Sequence, residues 1–371
     1  MLRMHNVQNP KPRPEANGRP FATGNATHPT SLPSAAMLRR AVQTLVFAAL
    51  LLLSAPELGG YEAAATSSPS FASSTVADST YQVYTADGEL VALSNIVASL
   101  DTVDVVLLGE VHGHAPIHAL QDTLWQRALA TDRPAVLSLE MFERDVQPVL
   151  NEYLSGFISQ DHFLRASRPW STYERDYHSL VDTARAHNAP VLAANAPRRY
   201  VNRVASEGRT ALNALPSHAA NWLAPRPYPD PSQAYRSRFM AQMSGGMHGS
   251  NHAPRDTTEA DATESDTTDT AMPPGHGSGL TRLLDAQMLW DATMAYTIAE
   301  HLLRQPNALI VHLTGRFHIA ERTGTPEALA HYRPGTRQLV IYFDAVSNPD
   351  TFDPESHAGK GDFVVLVAER E

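Results

Sequence analysis

The sequence has no cysteine. That absence excludes disulfides, thiolate metal sites, a cysteine nucleophile and a cysteine-linked lipid anchor, leaving His, Tyr, Met and carboxylates to hold any metal or cofactor. Basic charge is also scarce. The net charge is −10 and no basic stripe runs along the chain, which argues against nucleic acid as a partner. What the 371 residues do have is 43% hydrophobic content, enough to bury a sizeable core in one large or two modest domains.

Long apolar runs are missing too. The run from Ala41 to Ala55 falls short of the ~20 residues that a membrane span needs. It follows the charged start "MLRR" at 37–40 and is followed by small residues at Ser54-Ala55 and Ala63-Ala64-Ala65, the order of a cleavable export signal. Residues 37–65 are therefore expected to be a signal peptide and 66–80 a Ser/Ala/Thr linker. The polar stretch 1–36 is expected to be upstream translation from a mis-assigned start, with Met37 the initiator. The expected location is the periplasm or cell envelope, without a lipid anchor.

Past the linker, "YQVYTADGELVAL" reads as a hairpin around Ala86-Asp87-Gly88, with Ser94 capping a short helix through Leu100. Apolar runs at 104–108, 135–139, 190–194, 308–314, 338–343 and 363–368 then alternate with stretches of helical periodicity. Continuous apolar runs suit strands covered on both faces. The expected fold class is α/β, a largely parallel central sheet flanked by helices over 81–371. Between 244 and 279 the chain carries no Leu, Ile, Val or Phe, and a disordered acidic insertion is expected there. Its Met247, His248, His252, Met272 and His276, with nearby Met243, raise the possibility of copper binding or haem hand-off. A long helix is expected at 280–303, with Met288, Trp290 and Met294 on its core face.

Ligands of open parallel sheets bind outside the carboxyl ends of the strands, so the residues after each run matter most. The first run delivers Gly109, Glu110, His112 and His114, and the second Glu140, Glu143 and Arg144. The third ends in Asn195, the fourth in Gly315, Arg316 and His318. "GEVH" and "GRFH" share one pattern, a glycine that permits sharp departure from the strand and a histidine three residues on. Plainer roles compete at several positions. Glu140 can bond amides at a helix start, Asn195 can be a turn or cap residue, and Arg144 can neutralise Glu140 or Glu143. His114 and His118 are expected at the surface.

The blocks "VVLLGEVHGHAPIH", "LSLEMFERDVQPVLNEYLSG", "RPWSTYERDYHSLVDTARAHNAPVLAANAPR", "AQMLWDATMA" and "LTGRFH" resemble the ChaN-like haem-binding family. That family shares a superfamily with the Tiki metal-dependent peptidases and erythromycin-esterase-like proteins. The resemblance implies an α/β fold with a polar strand-end pocket, haem as cofactor, and a role beside an outer-membrane or envelope haem-uptake system, with a homodimer compatible. For haem, His112, Tyr173, Arg144, Asn195, Arg316 and His318 are the candidates, with Phe142, Trp170 and Phe317 as further walls and Arg198 as a further propionate partner. Tyr177 and Tyr200 are additional axial candidates. The alternative implied by the superfamily is a divalent-metal-dependent hydrolase, with His112, Glu140 and His318 on the metal and Glu110 taking a proton from bound water. The second motif departs from the family's commoner Asn/Gly-rich form through Arg316 and Phe317.

Overall fold

The six apolar runs are six adjacent parallel strands of one eight-stranded sheet. In chain order the strands are β1 (Tyr81–Thr85), β2 (Leu90–Val91), β3 (Val105–Glu110), β4 (Ala135–Glu143), β5 (Val191–Asn195), β6 (Leu309–Gly315), β7 (Gln338–Val346) and β8 (Phe363–Ala368). Their spatial order is β2-β1-β8-β7-β3-β6-β4-β5. The first hairpin adds β1 antiparallel to β8 and β2 antiparallel to β1. The computed structural model describes residues 80–245 and 276–369, all within the unit Thr75–Glu371. The expected leader, signal and nearly all of the linker lie outside the described residues, as do 246–275 of the acidic insertion.

Side-chain parity assigns each strand residue to a face. Val106, Leu108, Leu137, Leu139, Val311 and Leu313 pack on one face of the sheet. Against them lie α2 (Ala115–Leu129), α3 (Gln147–Leu154), α4 (Gln160–Ser167), α5 (Tyr173–Asp176) and α6 (His178–Ala186), after the short α1 (Leu93–Ser99). Val105, Leu107, Val136, Ile310 and Val340 point the other way. On that side lie α7 (Arg198–Glu207), α8 (Ser217–Ala220), α9 (Gln233–Gly245), the long α10 (His276–Arg304) and α11 (Thr325–Tyr332). Each fully buried Leu or Ile contributes about 1.5–3 kcal/mol relative to exposure. A one-residue slip would turn these side chains to the wrong face, so the register is strongly specified.

Two local expectations need correction. Ser94 does not cap α1: the helix starts after Ala92, whose N–H donates to Asn95 Oδ1 at 3.2 Å. An Asn side chain one turn in reaches back and accepts from the N-cap residue's own N–H, the contact made by the third helical residue of a capping box. On α10, Met288 and Met294 are buried as expected, whereas Trp290 is only partly buried against the core. At the outer edge of the sheet, Gln147 acts as a short mock strand. Its amide donates to Val191 O at 2.8 Å and accepts from Ala193 N–H at 2.7 Å, which satisfies backbone groups that an edge would otherwise expose. Among the described residues no helix is long and apolar enough to cross a membrane.

Strand order positions the site. β6 lies between β3 and β4, and the pairing sets Gly109 beside Thr314 and Glu110 beside Gly315. The two Gly-x-x-His motifs, distant in sequence, thus leave the sheet from adjacent strands.

Candidate functional site at the strand ends

Glu110 is fully buried on the α2 face of β3. Its carboxylate meets His112 Nδ1 at 2.7 Å and accepts from Gln121 Nε2 at 2.8 Å and from the Tyr177 hydroxyl at 2.5 Å. His118 Nδ1 lies 3.6 Å away and is 2.9 Å from Gln121 Oε1. Burial alone would push Glu110 upward, but the His118, His112 and Tyr177 contacts outweigh it and hold the carboxyl below its usual range. The same carboxylate, together with burial, pushes the Tyr177 phenol well above its ordinary value. His118 is therefore buried in this network, not at the surface as expected, because its place on α2 turns it toward Asp176 and Glu110.

On the opposite face, the Glu140 carboxylate accepts from Thr314 Oγ1 at 2.6 Å and from the Gly315 N–H at 2.8 Å, while His318 Nε2 stands 3.6 Å from its other oxygen. Desolvation is again outweighed, here by His318, His112 and these two hydrogen bonds, so Glu140 is held low. Glu140 thus bonds a backbone amide, but from a strand and not at a helix start. His318 Nδ1 is 2.9 Å from Asp291 Oδ1 on α10. Burial pulls its pKa down, but Asp291 and Glu140 raise it above the ordinary value. Deeper on the same face, His312 bonds Ser138 Oγ at 2.9 Å, and burial lowers its pKa to about 4.

His112 bridges the two faces. Its Nδ1 is tied to Glu110, and its Nε2 lies 3.0 Å from where a Cβ on Gly315 would stand. A Cβ on Gly109 would come within 2.5 Å of Ile319. At both glycines a neighbouring side chain packs where a Cβ would stand, Ile319 at Gly109 and His112 at Gly315. The Trp170 ring stands edge-on to His112 with centroids 5.0 Å apart. His112, Glu140 and His318 are thus brought to one place. Even so, among the described residues no three His or carboxylate groups are spaced to hold one metal ion.

Other candidates lie apart from this centre. Tyr173 is buried among Phe142, Phe163 and Tyr153, its hydroxyl without a hydrogen-bond partner and its pKa raised by burial. Arg144 reaches across to α10, bonding Thr297 and Glu300 at 2.8 and 3.0 Å. Arg316 turns to Asp344 on β7 and lies over the Tyr342 ring. Asn195 is buried and accepts from the N–H of Ala196 at 2.9 Å, while the cap position of α7 falls to Pro197. Phe317 packs on Tyr235 and Arg238. Starting one residue after His112 in the chain, Gly113, His114, Pro116 and Arg175 line an open depression together with Ala345 and Glu369.

Sequence reasoning missed Asp291, Tyr235, Gln121 and Gln287. Two had a legible signal. Asp291 interrupts the apolar stretch "QMLWDATMA", and Gln121 lies one turn after Ile117 on the buried stripe of α2. A polar residue on a core face needs a partner.

Residues 96–329 match the sequence family described as haem-binding uptake, Tiki superfamily, ChaN. Among solved structures, one similar protein is the ChaN of Campylobacter jejuni, described for cofacial haem binding. It has 16% identity and a TM-score of 0.55, over 77% of this chain and 96% of that one. A Bacillus cereus protein is similar at 10% identity and TM-score 0.40, over 74% and 91%. The erythromycin esterase EreC is similar at 11% and 0.38, over 77% and 82%. At these identities the likeness to ChaN concerns the fold. No curated protein sequence matches the chain.

Proposed function

Because the chain belongs to the ChaN haem-binding uptake family of the Tiki superfamily, we propose that it is an exported haem-binding protein of haem or iron uptake, with haem seated at the strand ends. The supporting observation is His112. Its ring is 23% exposed, and its Nδ1 is held at 2.7 Å by the fully buried Glu110, so that an iron-binding imidazole would come oriented by a carboxylate. A carboxylate on the far nitrogen fixes ring orientation and raises ligand basicity. The residues at hand fit an imidazole-ligated haem. Trp170 offers an apolar wall, and Arg175, 60% exposed and paired with Asp176 at 2.7 and 2.8 Å, would bring a cation to a propionate from the rim of the depression. When bound, haem supplies the iron centre; the chain supplies the donor, its orientation and the charge.

Cofacial binding of the kind described for the Campylobacter jejuni ChaN belongs to the same reading. We accordingly place a homodimer with haem between two copies within this reading, and an envelope haem-uptake system as the partner it serves. Export is tested by N-terminal sequencing of the secreted form, which should begin after Ala55. Recovery of mature protein carrying residues 1–36 overturns it.

One observation favours the hydrolase as the second reading: His112 and His318 both carry buried carboxylates on Nδ1 and both approach Glu140. In kind the donors suit a divalent cation; in spacing they do not. Glu110 is also ill suited as a water-activating base, since Tyr177, Gln121 and His112 occupy its oxygens. Haemin titration of the full chain separates the readings. Stoichiometric binding with a Soret band that shifts in His112→Ala supports the haem seat. An unaltered spectrum and affinity in that variant removes it, and chelator-sensitive peptide or ester cleavage puts the hydrolase in its place.

A further inference from the structure

His318 is gripped by two residues one turn apart on α10. Asp291 faces Nδ1 at 2.9 Å, and Gln287 Nε2 lies 3.4 Å from His318 Nε2. Asp291 is fully buried, and each of its oxygens is already an acceptor. Oδ1 takes the Thr325 hydroxyl at 2.8 Å and Oδ2 takes the Tyr235 hydroxyl at 2.5 Å. Three elements, α9, α10 and α11, therefore converge on one carboxylate whose remaining contact is the histidine.

That arrangement has a consequence for the imidazole. A carboxylate can only accept, so in neutral His318 the nitrogen facing it carries the hydrogen and the other keeps its lone pair. The amide of Gln287 and the edge of Glu140 flank that lone pair. On the other face of the sheet, Glu110 stands in the same relation to His112. The two motif histidines are thus oriented alike by unrelated carboxylates, one from the motif itself and one from a helix that no local pattern connects to it.

We propose that Asp291 is a positioning residue of the strand-end site, holding His318 as the Nδ1–H tautomer so that its Nε2 lone pair faces the space shared with Glu140 and His112. The proposal rests on the reading of the strand ends as the ligand site. Gln287 marks where a ligand atom or a transferred proton would meet the ring.

The test uses full-length protein carrying nitrogen-15 in its histidines, at a pH above the His318 titration. The His318 signals are assigned by their loss in His318→Gln. In the wild type the Nδ1–H form should dominate; in Asp291→Asn and Asp291→Ala the tautomers should mix or invert. In Gln287→Leu the wild-type form should persist. Haemin affinity of Asp291→Asn should fall about tenfold, equivalent to about 1.4 kcal/mol. A wild-type Nε2–H form overturns the inference without any variant having to fold. Retention of Nδ1–H in a folded Asp291→Ala overturns it, as does loss of the tautomer with haemin affinity unchanged. Failure of the wild type to bind haemin sinks the haem reading alone, and the tautomer result still decides this one.

Discussion

Glu140 and Gly315 lie 175 positions apart in the chain, yet the Glu140 carboxylate accepts the Gly315 N–H at 2.8 Å. That one bond ties the end of β4 to the turn that carries the second motif, and it places a buried negative charge directly beside the glycine over which His112 sits. The geometry of both histidines depends on it.

Gly315→Ala is the sharpest probe of this packing. The added methyl would stand 3.0 Å from His112 Nε2 and 3.3 Å from its Cε1, so the ring would have to shift against its contact with Glu110 to make room. We expect a stability loss of about 1–3 kcal/mol, the usual range for overpacking, and weakened haemin binding. Urea unfolding and haemin titration of the same preparation check both. Unchanged affinity would show that His112 does not need its present seat.

Tyr173→Phe should behave in the opposite way. The hydroxyl is buried and makes no hydrogen bond, so its removal relieves a desolvated polar group while the aromatic packing on Phe142 and Phe163 stays. A gain of about 1 kcal/mol in thermal or denaturant stability is expected, with the haem spectrum untouched. A shifted Soret band in this variant would return Tyr173 to the haem site.

Glu110→Gln replaces an acceptor of three hydrogen bonds with an amide that must direct its NH₂ at a donor. One of Tyr177, Gln121 or His112 then loses its partner in a fully buried position. The expected cost is about 1–3 kcal/mol, together with a redshifted or broadened haem spectrum as His112 loses its fixed orientation. Calorimetry and absorption spectra report the two effects separately.

Asp104 links the start of β3 to the strand beside it, accepting from the Arg337 N–H at 2.9 Å and its guanidinium at 2.7 Å. Burial pushes the carboxyl up, but the Arg337 hydrogen bonds outweigh that and leave it below the usual range. A carboxylate depressed in the folded state stabilises the fold above its unfolded pKa of about 3.9, and the contribution is lost as pH falls through the folded value. Asp104→Asn should therefore lower the urea midpoint at pH 7, and the gap to wild type should close as the pH is taken below about 4. A gap that stays constant from pH 7 to pH 3 would rule out this linkage.

The six parallel strands were legible because a strand covered on both faces must be apolar at nearly every position, and the residues that follow each run fall at one edge of the sheet whatever its order. Glu110, His112, Glu140 and His318 could be picked out for that reason. Ser94 and Asn95 mark the limit of local reading, since both can hydrogen-bond a chain entry and only the path of the backbone selects one.

By itself, then, the sequence determined the strands, the long helix and the two glycine-histidine turns, all features of local periodicity and backbone freedom. Only the tertiary structure decided who faces whom. The insertion of β6 between β3 and β4 put the two motifs side by side, and strand parity sent Glu110 beneath α2 but Glu140 beneath α10. Helical phase then aimed Asp291 at His318 and turned Tyr173 into the core. None of these follows from residue type, because a carboxylate or phenol reads the same in sequence whether its partner lies two residues away, as His112 does from Glu110, or across the sheet.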